Sequence, residues 1–352
     1  MESKRFDTLL YKASQFSPEY RGGFSLHATM TMRAMLSLGA SPDRLEAFIS
    51  DQAPRFEPWP MPVATLTEAG FGAALGDPAR LTDWRDHFVE KLRPGGWRWI
   101  LGEWLPRLAP GIMGAALHGA IRTAYAVMAL EEEDTLQRRI ELAIALASWG
   151  ARFQPLPKPS GPTQDVDPTA ILRGTPLLPI DRRVKGMIFG RVKPLDDEVS
   201  FPAVAAAWKI DEPTAALARL SKTAARLYLA NPGRSAISFI HCLTGTHAVR
   251  ILAPYVGPVE RVALLRHLWT AVAALYVADA DAPLTGEETK NATSRERGLM
   301  DMEGMLAAAL AQGDDHVVKY AFSIREENMA SPDPAYPLAL ARWLIAAGAV
   351  QE

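Results

Sequence analysis

The stretch GDDHVVKYAFS, residues 313–323, holds two carboxylates, an imidazole and an amine within six positions. On a helix, His316 and Lys319 are three residues apart and leave the same face. If that face is solvated, the stretch is only a polar helix start. If it points inward, four ionisable groups need partners, which is typical of a functional site.

The other histidines differ in their flanking residues. His87 lies among charges in DWRDHFVEKLR, which predicts a solvated surface position, and His267 lies in an amphipathic helical pattern, which favours a structural role. The remaining four have mostly apolar or small neighbours: His27, His118, His241 and His247. Taken one at a time, each is expected to be a core histidine satisfied by hydrogen bonds rather than a ligand.

His241 and His247 share the segment FIHCLTGTHAVRIL. They are six residues apart, so on one regular helix they face different sides, although a distortion at Gly245 would turn both inward. The chain has no HExxH, CxxC or calcium-loop motif, and no glycine-rich nucleotide loop or GxSxG elbow. The absence of these local motifs does not exclude a metal site whose ligands come from separate helices, as in helical bundles.

Helical periodicity dominates the elements that would position these residues. Residues 41–49 begin with a good capping residue, Ser41, followed by Pro42 in the first turn. Alternating β-branched runs bounded by turns are nearly absent, so no strand is needed. The segments predicted as helices are 26–38, 41–49, 112–130, 136–151, 201–210, 212–230, 262–280, 298–312 and 336–349. The sequence predicts an all-α fold, a single large multi-helix bundle or array.

Residues 152–168, RFQPLPKPSGPTQDVDP, interrupt the helical pattern. They hold five prolines together with glycine and aspartate, so few of them can extend a helix. This composition predicts a Pro-rich linker or surface excursion.

Bulk composition excludes several classes of partner. The formal net charge is −2 and no basic block occurs, so nucleic acid is not expected. The one cysteine, Cys242, excludes a disulfide framework and suits a reducing compartment. The N-terminus lacks the apolar core of a signal peptide, and the most apolar window, 262–280, is interrupted by charge. These features predict a soluble cytoplasmic protein without a membrane partner.

Four short blocks resemble, in their order and separation, the questin oxidase-like family: SLHATM (25–30), LHG (117–119), HCLTGTHAVR (241–250) and DDHVVKY (314–320). LSLGASPDRLEAF (36–48) resembles the segment that follows the first histidine in that family. The family includes fungal enzymes that open anthraquinone rings oxidatively, some of them described as Baeyer–Villiger-type oxidases. At least one is understood as a non-haem iron dioxygenase whose metal is held by four histidines and a carboxylated lysine.

The resemblance implies a role for each matching position. Lys319 would carry a carbamate formed with CO2. His247 is the alternative to His241, which ranks first because it heads the His-x-x-Thr piece. The implied metal ligands are His27, His118, His241, His316 and Lys319.

Two positions depart from the family pattern. Leu26 stands where a polar residue is expected, which puts a hydrogen bond to the first histidine in doubt, and Cys242 replaces a more usual alanine, which would alter the pocket and leave the ligands unchanged. Asp314 and Asp315 would either orient ligand histidines or cap the helix that carries His316.

The resemblance implies one helical domain over residues 1–352, because the implied ligands come from both sides of 152–168. It implies Fe(II) as the cofactor, O2 and a small aromatic or quinone-like molecule as substrates, and carbon–carbon cleavage or oxygen insertion as the reaction. Two alternatives stay open: an NADPH-dependent Baeyer–Villiger-type monooxygenase without bound metal, and a helical interaction protein whose histidines are structural.

Overall fold

A computed structural model describes residues 2–299 and 301–350. Within that range the chain forms eighteen α-helices and a two-stranded sheet, which confirms the predicted all-α class. Contacts divide the chain into a first unit, Met1–Pro155 with Ile251–Glu260, and a second unit, Leu156–Arg250 with Arg261–Glu352. One domain over 1–352 stays a prediction, since compact units of one chain unfold either together or separately.

The first unit contains the sheet and eight helices. The strands β1 (Glu19–Tyr20) and β2 (Phe24–Ser25) pair antiparallel directly before the second helix. The helices are α1 (Glu2–Ser14), α2 (Ala28–Ser37), α3 (Pro42–Gln52), α4 (Phe71–Ala74), α5 (Leu81–Leu92), α6 (Trp97–Leu108), α7 (His118–Glu132) and α8 (Leu136–Ala151). Short 3₁₀ helices lie at Ala53–Arg55, Glu68–Gly70, Pro78–Arg80, Ala109–Gly111 and Ala253–Tyr255.

The second unit contains the remaining helices, apart from the residues of α13 and α14 that fall within Ile251–Glu260. The helices are α9 (Pro168–Arg173), α10 (Ile188–Arg191), α11 (Phe201–Ala206), α12 (Pro213–Ala230), α13 (Ala236–Leu252), α14 (Pro258–Asp279), α15 (Ser294–Gly298), α16 (Met302–Gln312), α17 (Asp315–Ala330) and α18 (Ala335–Ala346). Short 3₁₀ helices lie at Ile180–Arg182 and Lys193–Asp197.

Helix α8 is the centre of the first unit, because α1, α5 and α7 all pack against it. Its buried Glu141 accepts two hydrogen bonds from Arg122 of α7, at 2.9 and 3.1 Å, and one from Thr29 of α2, at 2.6 Å. Removing one partner of a buried ion pair costs about 3–5 kcal/mol. The carboxylate therefore fixes the helix that follows His27 to the helix that begins with His118.

Among the described residues, two helices are long and apolar enough to cross a membrane by length and composition, Ala236–Tyr255 and Pro258–Asp279. Their apolar windows are 83% and 78% buried inside the protein, as expected of core helices in a soluble protein. The second includes most of 262–280, so the window judged too charged for a membrane span is a core helix.

The helix predicted over 112–130 was wrong at its start, because α7 begins only at His118. The preceding residues Ala115, Ala116 and Leu117 have φ values of 47°, 57° and 69°, which no right-handed helix contains. The apolar pattern continues through them and therefore hides this break. Ser41, by contrast, caps α3 as predicted, accepting a hydrogen bond from the Arg44 backbone N–H.

The Pro-rich stretch 152–168 contains no helix before Pro168, and most of it is exposed, as predicted for a surface excursion. It is nevertheless hydrogen-bonded to its own unit. The Ser160 N–H donates to the Pro202 carbonyl at 2.9 Å, and Gln164 bridges to the strand-like backbone of Trp208. The second half of the stretch is therefore an ordered part of the second unit.

Candidate functional site

Two of the implied ligands meet in the first unit. The rings of His27 and His118 stack with their centroids 4.7 Å apart and their planes 18° apart. His27 is the residue before α2 and is 8% exposed, and His118 is the first residue of α7. The structure thus brings together two imidazoles that are ninety-one positions apart in the chain.

The backbone before His118 is strained. Ala115, Ala116 and Leu117 are three consecutive non-glycine residues with left-handed φ values, each costing on the order of 1–2 kcal/mol. The strained turn presents the Ala115 carbonyl to Nδ1 of His118. Because a carbonyl oxygen only accepts, Nδ1 must carry the proton, and in the neutral ring Nε2 keeps its lone pair.

Gly119 is required for the position of α7. A Cβ at this residue would lie 2.5 Å from Cγ and 2.6 Å from Cβ of Trp149 on α8, closer than real side chains approach. The small residue beside His118 therefore admits the indole of Trp149.

We expect Gly119→Ala to lower the free energy of unfolding by about 1–3 kcal/mol, because the methyl group overpacks the contact with Trp149. The matched control is Gly72→Ala on α4, where an added Cβ meets nothing within 4 Å. The control should be neutral or slightly stabilising, since alanine favours a helix over glycine. Urea unfolding of both variants measures the difference, and equal midpoints would contradict the close approach.

Two further implied ligands meet in the second unit. The rings of His241 on α13 and His316 on α17 have centroids 5.5 Å apart and planes at 73°. Nδ1 of His241 lies 2.6 Å from the Ile237 carbonyl oxygen, so Nδ1 donates and Nε2 keeps its lone pair. Burial, aided by the charge of Lys319 and opposed by the hydrogen bond to Ile237, lowers the pKa of His241 to about 4, so the ring is neutral at pH 7.

In GDDHVVKYAFS, the lysine of the polar face is buried. Lys319 is 4% exposed, on the same face of α17 as His316. Burial lowers the pKa of Lys319 to about 8, although the negative charges of Asp315 and Asp314 oppose the change. A fraction of this amine is therefore neutral at pH 7, which an exposed lysine is not.

The two aspartates of this segment have different positions. Asp314 caps α17, because its Oδ1 accepts from the backbone N–H groups of His316, at 2.9 Å, and Val317, at 3.2 Å. The same oxygen lies 3.9 Å from Nδ1 of His316. Asp315 is the first residue of α17, is 7% exposed and acts on Lys319 through its charge. Asp314 thus caps α17 and also lies beside the His316 ring.

His247 lies in a different environment from His241. Its Nδ1 is 3.0 Å from Oε1 of Glu327. The carboxylate of Glu327 also accepts two hydrogen bonds from Arg250, at 2.8 Å to Oε1 and at 2.7 Å to Oε2. Burial alone would raise the pKa of Glu327, but these hydrogen bonds and charges hold it down to about 2. Nε2 of His247 is buried and has no hydrogen-bond partner among the described residues. Of the two histidines, it is His241 that lies beside His316.

Sequence reasoning missed Glu327 as the partner of His247. A signal was present, because Glu327 is eleven residues after His316 and a helix returns to nearly the same face after eleven residues. His87 also differs from its expected solvated position. It is half-buried, and its ring contacts Phe71, Phe88 and Trp104 edge-on, at 4.9 to 5.7 Å between centroids.

Each unit therefore supplies a pair of imidazoles, and the second unit adds Lys319. In residues 2–299 and 301–350, no group of three or more His, Cys, Asp or Glu side chains has an arrangement that could hold a metal ion. The grouping of all five implied ligands around one ion stays a prediction. Chemically, the arrangement offers the neutral ring of His241, Nδ1 contacts to carbonyl oxygens at His118 and His241, and one buried amine of lowered pKa at Lys319.

Comparison with known proteins adds one finding. A family model described as questin oxidase-like matches residues 24–134 and 179–324, which is more than two thirds of the chain. Every implied ligand lies inside the matched ranges, and the whole Pro-rich stretch 152–168 lies between them. No curated protein matches the chain.

Proposed function

The chain belongs to the questin oxidase-like family, and we propose that it is a non-haem Fe(II)-dependent oxygenase. Membership supports an oxidoreductase that acts on an anthraquinone-type substrate. The proposal adds that O2 is the oxidant and that the reaction cleaves a carbon–carbon bond or inserts oxygen into a flat aromatic or quinone-like molecule.

The observation that carries the proposal is the state of the nitrogen donors. A metal-bound histidine typically donates its second ring N–H to a carbonyl or carboxylate, which fixes the tautomer and turns the lone pair to the metal. His118 does so to Ala115, and His241 does so to Ile237. In the neutral form of both rings, Nε2 is then the nitrogen that would bind a metal.

We propose that one Fe(II) ion takes five ligands from this chain: His27, His118, His241, His316 and Lys319. The donor set fits iron chemically, because neutral imidazole suits Fe(II) and an anionic oxygen donor favours its oxidation. Bound iron would supply the O2 chemistry that organic side chains lack.

Lys319 would join this set as a carbamate. The ammonium first loses a proton, and the neutral amine then forms a nitrogen–carbon bond with CO2 and releases a second proton, so a cation becomes an anionic oxygen donor. Burial promotes the first requirement of this step, since it lowers the pKa of the amine to about 8. Asp314 would orient His316 from its cap position, 3.9 Å from Nδ1.

The experiment is iron and oxygen analysis of the full chain, purified without a metal-binding tag and incubated with an anthraquinone. The proposal predicts bound iron and O2 uptake that a chelator abolishes and NADPH does not affect. Turnover that requires NADPH and survives chelation would favour the metal-free monooxygenase. Absence of both metal and turnover across a panel of quinones would favour the interaction protein.

A further inference from the structure

A cleft of about 300 Å³ in the second unit carries an excess of positive charge. It is lined by residues of α9, of α12 and of the segments before α9 and α18. Its charged lining residues are Arg173, Arg219, Lys222, Arg226, Asp167 and Asp333, a net charge of +2. None of these residues belongs to the proposed iron site, and the whole chain is slightly acidic at −2.

The helices place the cations on one side of the cleft. Arg219, Lys222 and Arg226 are at positions i, i+3 and i+7 of α12, within one face of the helix. A hydrogen bond of 2.8 Å between the hydroxyls of Thr169 and Thr223 joins α9 to α12 beside them. One helix therefore carries three of the four cations of the cleft on a single face.

Both carboxylates are already engaged. Asp333 accepts two hydrogen bonds from Arg226, at 3.1 and 3.0 Å, and one from the Ala335 backbone N–H at 2.9 Å. Asp167 caps α9 by accepting from the Thr169 N–H at 2.9 Å. Arg226 is thus neutralised within the protein, whereas the remaining cations are not.

Three cations of the cleft have no carboxylate within 4 Å in the part of the chain that the structure describes: Arg173, Arg219 and Lys222. Nε of Arg219 is buried and without a hydrogen-bond partner there, and its guanidinium lies 5.5 Å from the ring centroid of the buried Trp208. The guanidinium of Arg173 packs on bare backbone, because a Cβ at Gly286 would lie 2.3 Å from its Nη2. Arg219 thus packs against a buried indole and Arg173 against the Gly286 backbone, and neither guanidinium is paired with a carboxylate of the described residues.

We propose that this cleft binds a phosphate-type dianion, either inorganic or esterified to a small molecule. A phosphate ester carries a charge of about −1.5 to −2 at pH 7, which matches the net charge of the cleft. Its oxygens accept paired hydrogen bonds from arginine, and its negative charge is attracted to the ammonium of a lysine. A volume of about 300 Å³ is at the lower end of small-molecule sites and suits a phosphate or a small phosphate ester.

Calorimetric titration of the full chain tests the proposal without any measurement of turnover, so it does not depend on the proposed iron chemistry. Inorganic phosphate and adenosine 5′-phosphate are the two probes, at low and at high salt. The test variant is Arg219→Gln with Lys222→Gln. The control is Lys4→Gln with Lys12→Gln, which removes the same charge from exposed positions of α1.

We expect saturable binding that weakens at high salt, because screening reduces the attraction of exposed charges. The test variant should lose at least about tenfold in affinity, since two charge-assisted hydrogen-bonding groups are gone, while the control stays near the parent. Tighter binding of adenosine 5′-phosphate supports an ester as the ligand, and equal binding supports free phosphate. Absence of saturable binding with either probe, or equal affinity in the test variant, would overturn the proposal.

Discussion

Lys319→Arg should lose bound iron, and turnover should fall by on the order of 100-fold or more, the cost that even outer partners of a metal site reach. Arginine keeps the positive charge but is neither deprotonated nor carboxylated under ordinary conditions. It would hold a permanent cation at a position where burial already lowers the lysine pKa to about 8. The variant would therefore remove the proposed carbamate ligand and place beside the neutral His241 a positive charge that repels a metal cation.

Two companion variants make this result specific. Lys290→Arg changes a lysine whose side chain is 74% exposed, so iron, turnover and stability should stay unchanged within about 0.5 kcal/mol. Lys319→Ala leaves room for a small carboxylate, so added formate or acetate should restore part of the activity. Metal analysis and O2 uptake are measured beside circular dichroism. Full iron and full turnover in folded Lys319→Arg would show that the lysine is only a buried part of the helix.

The class of the fold was predictable because it depends on local pattern. Apolar residues at helical spacing predicted most of the longer helices, and Ser41 with Pro42 predicted the start of α3, which the Arg44 N–H confirms. The start of α7 was not predictable, because 112–117 has the same apolar composition as the helix that follows. Only the positive φ values of three non-glycine residues reveal that the chain turns there.

The residue types of the candidate site were predictable from the sequence, but the burial and hydrogen-bond partners of those residues were not. Spacing placed His316 and Lys319 on one face of a helix, but whether that face is buried depends on the packing of α17 against α16 and α18. The hydrogen bonds that fix the tautomers of His118 and His241 end on backbone carbonyls, which have no sequence signature. The choice between His241 and His247 likewise depends on contacts eighty positions away, where Glu327 engages His247.

The most direct test of the central claim, that one iron takes ligands from both histidine pairs, is the iron content of paired variants. One variant is His27→Ala with His118→Ala, and the other is His241→Ala with His316→Ala. Loss of a group that merely orients a ligand costs 10–100-fold in metal affinity, so the loss of two direct ligands costs more. The control is His267→Ala on α14, which changes a histidine outside the proposed set.

Iron is measured by elemental analysis of each folded protein after equilibration with equal Fe(II) under anaerobic conditions. The parent and the His267→Ala control should each bind one iron per chain. Both paired variants should bind almost none, because each has lost half of the histidine ligands of the same ion. If either paired variant instead retained its iron, or if the parent bound two ions and each variant lost only one, the single five-ligand site would be contradicted.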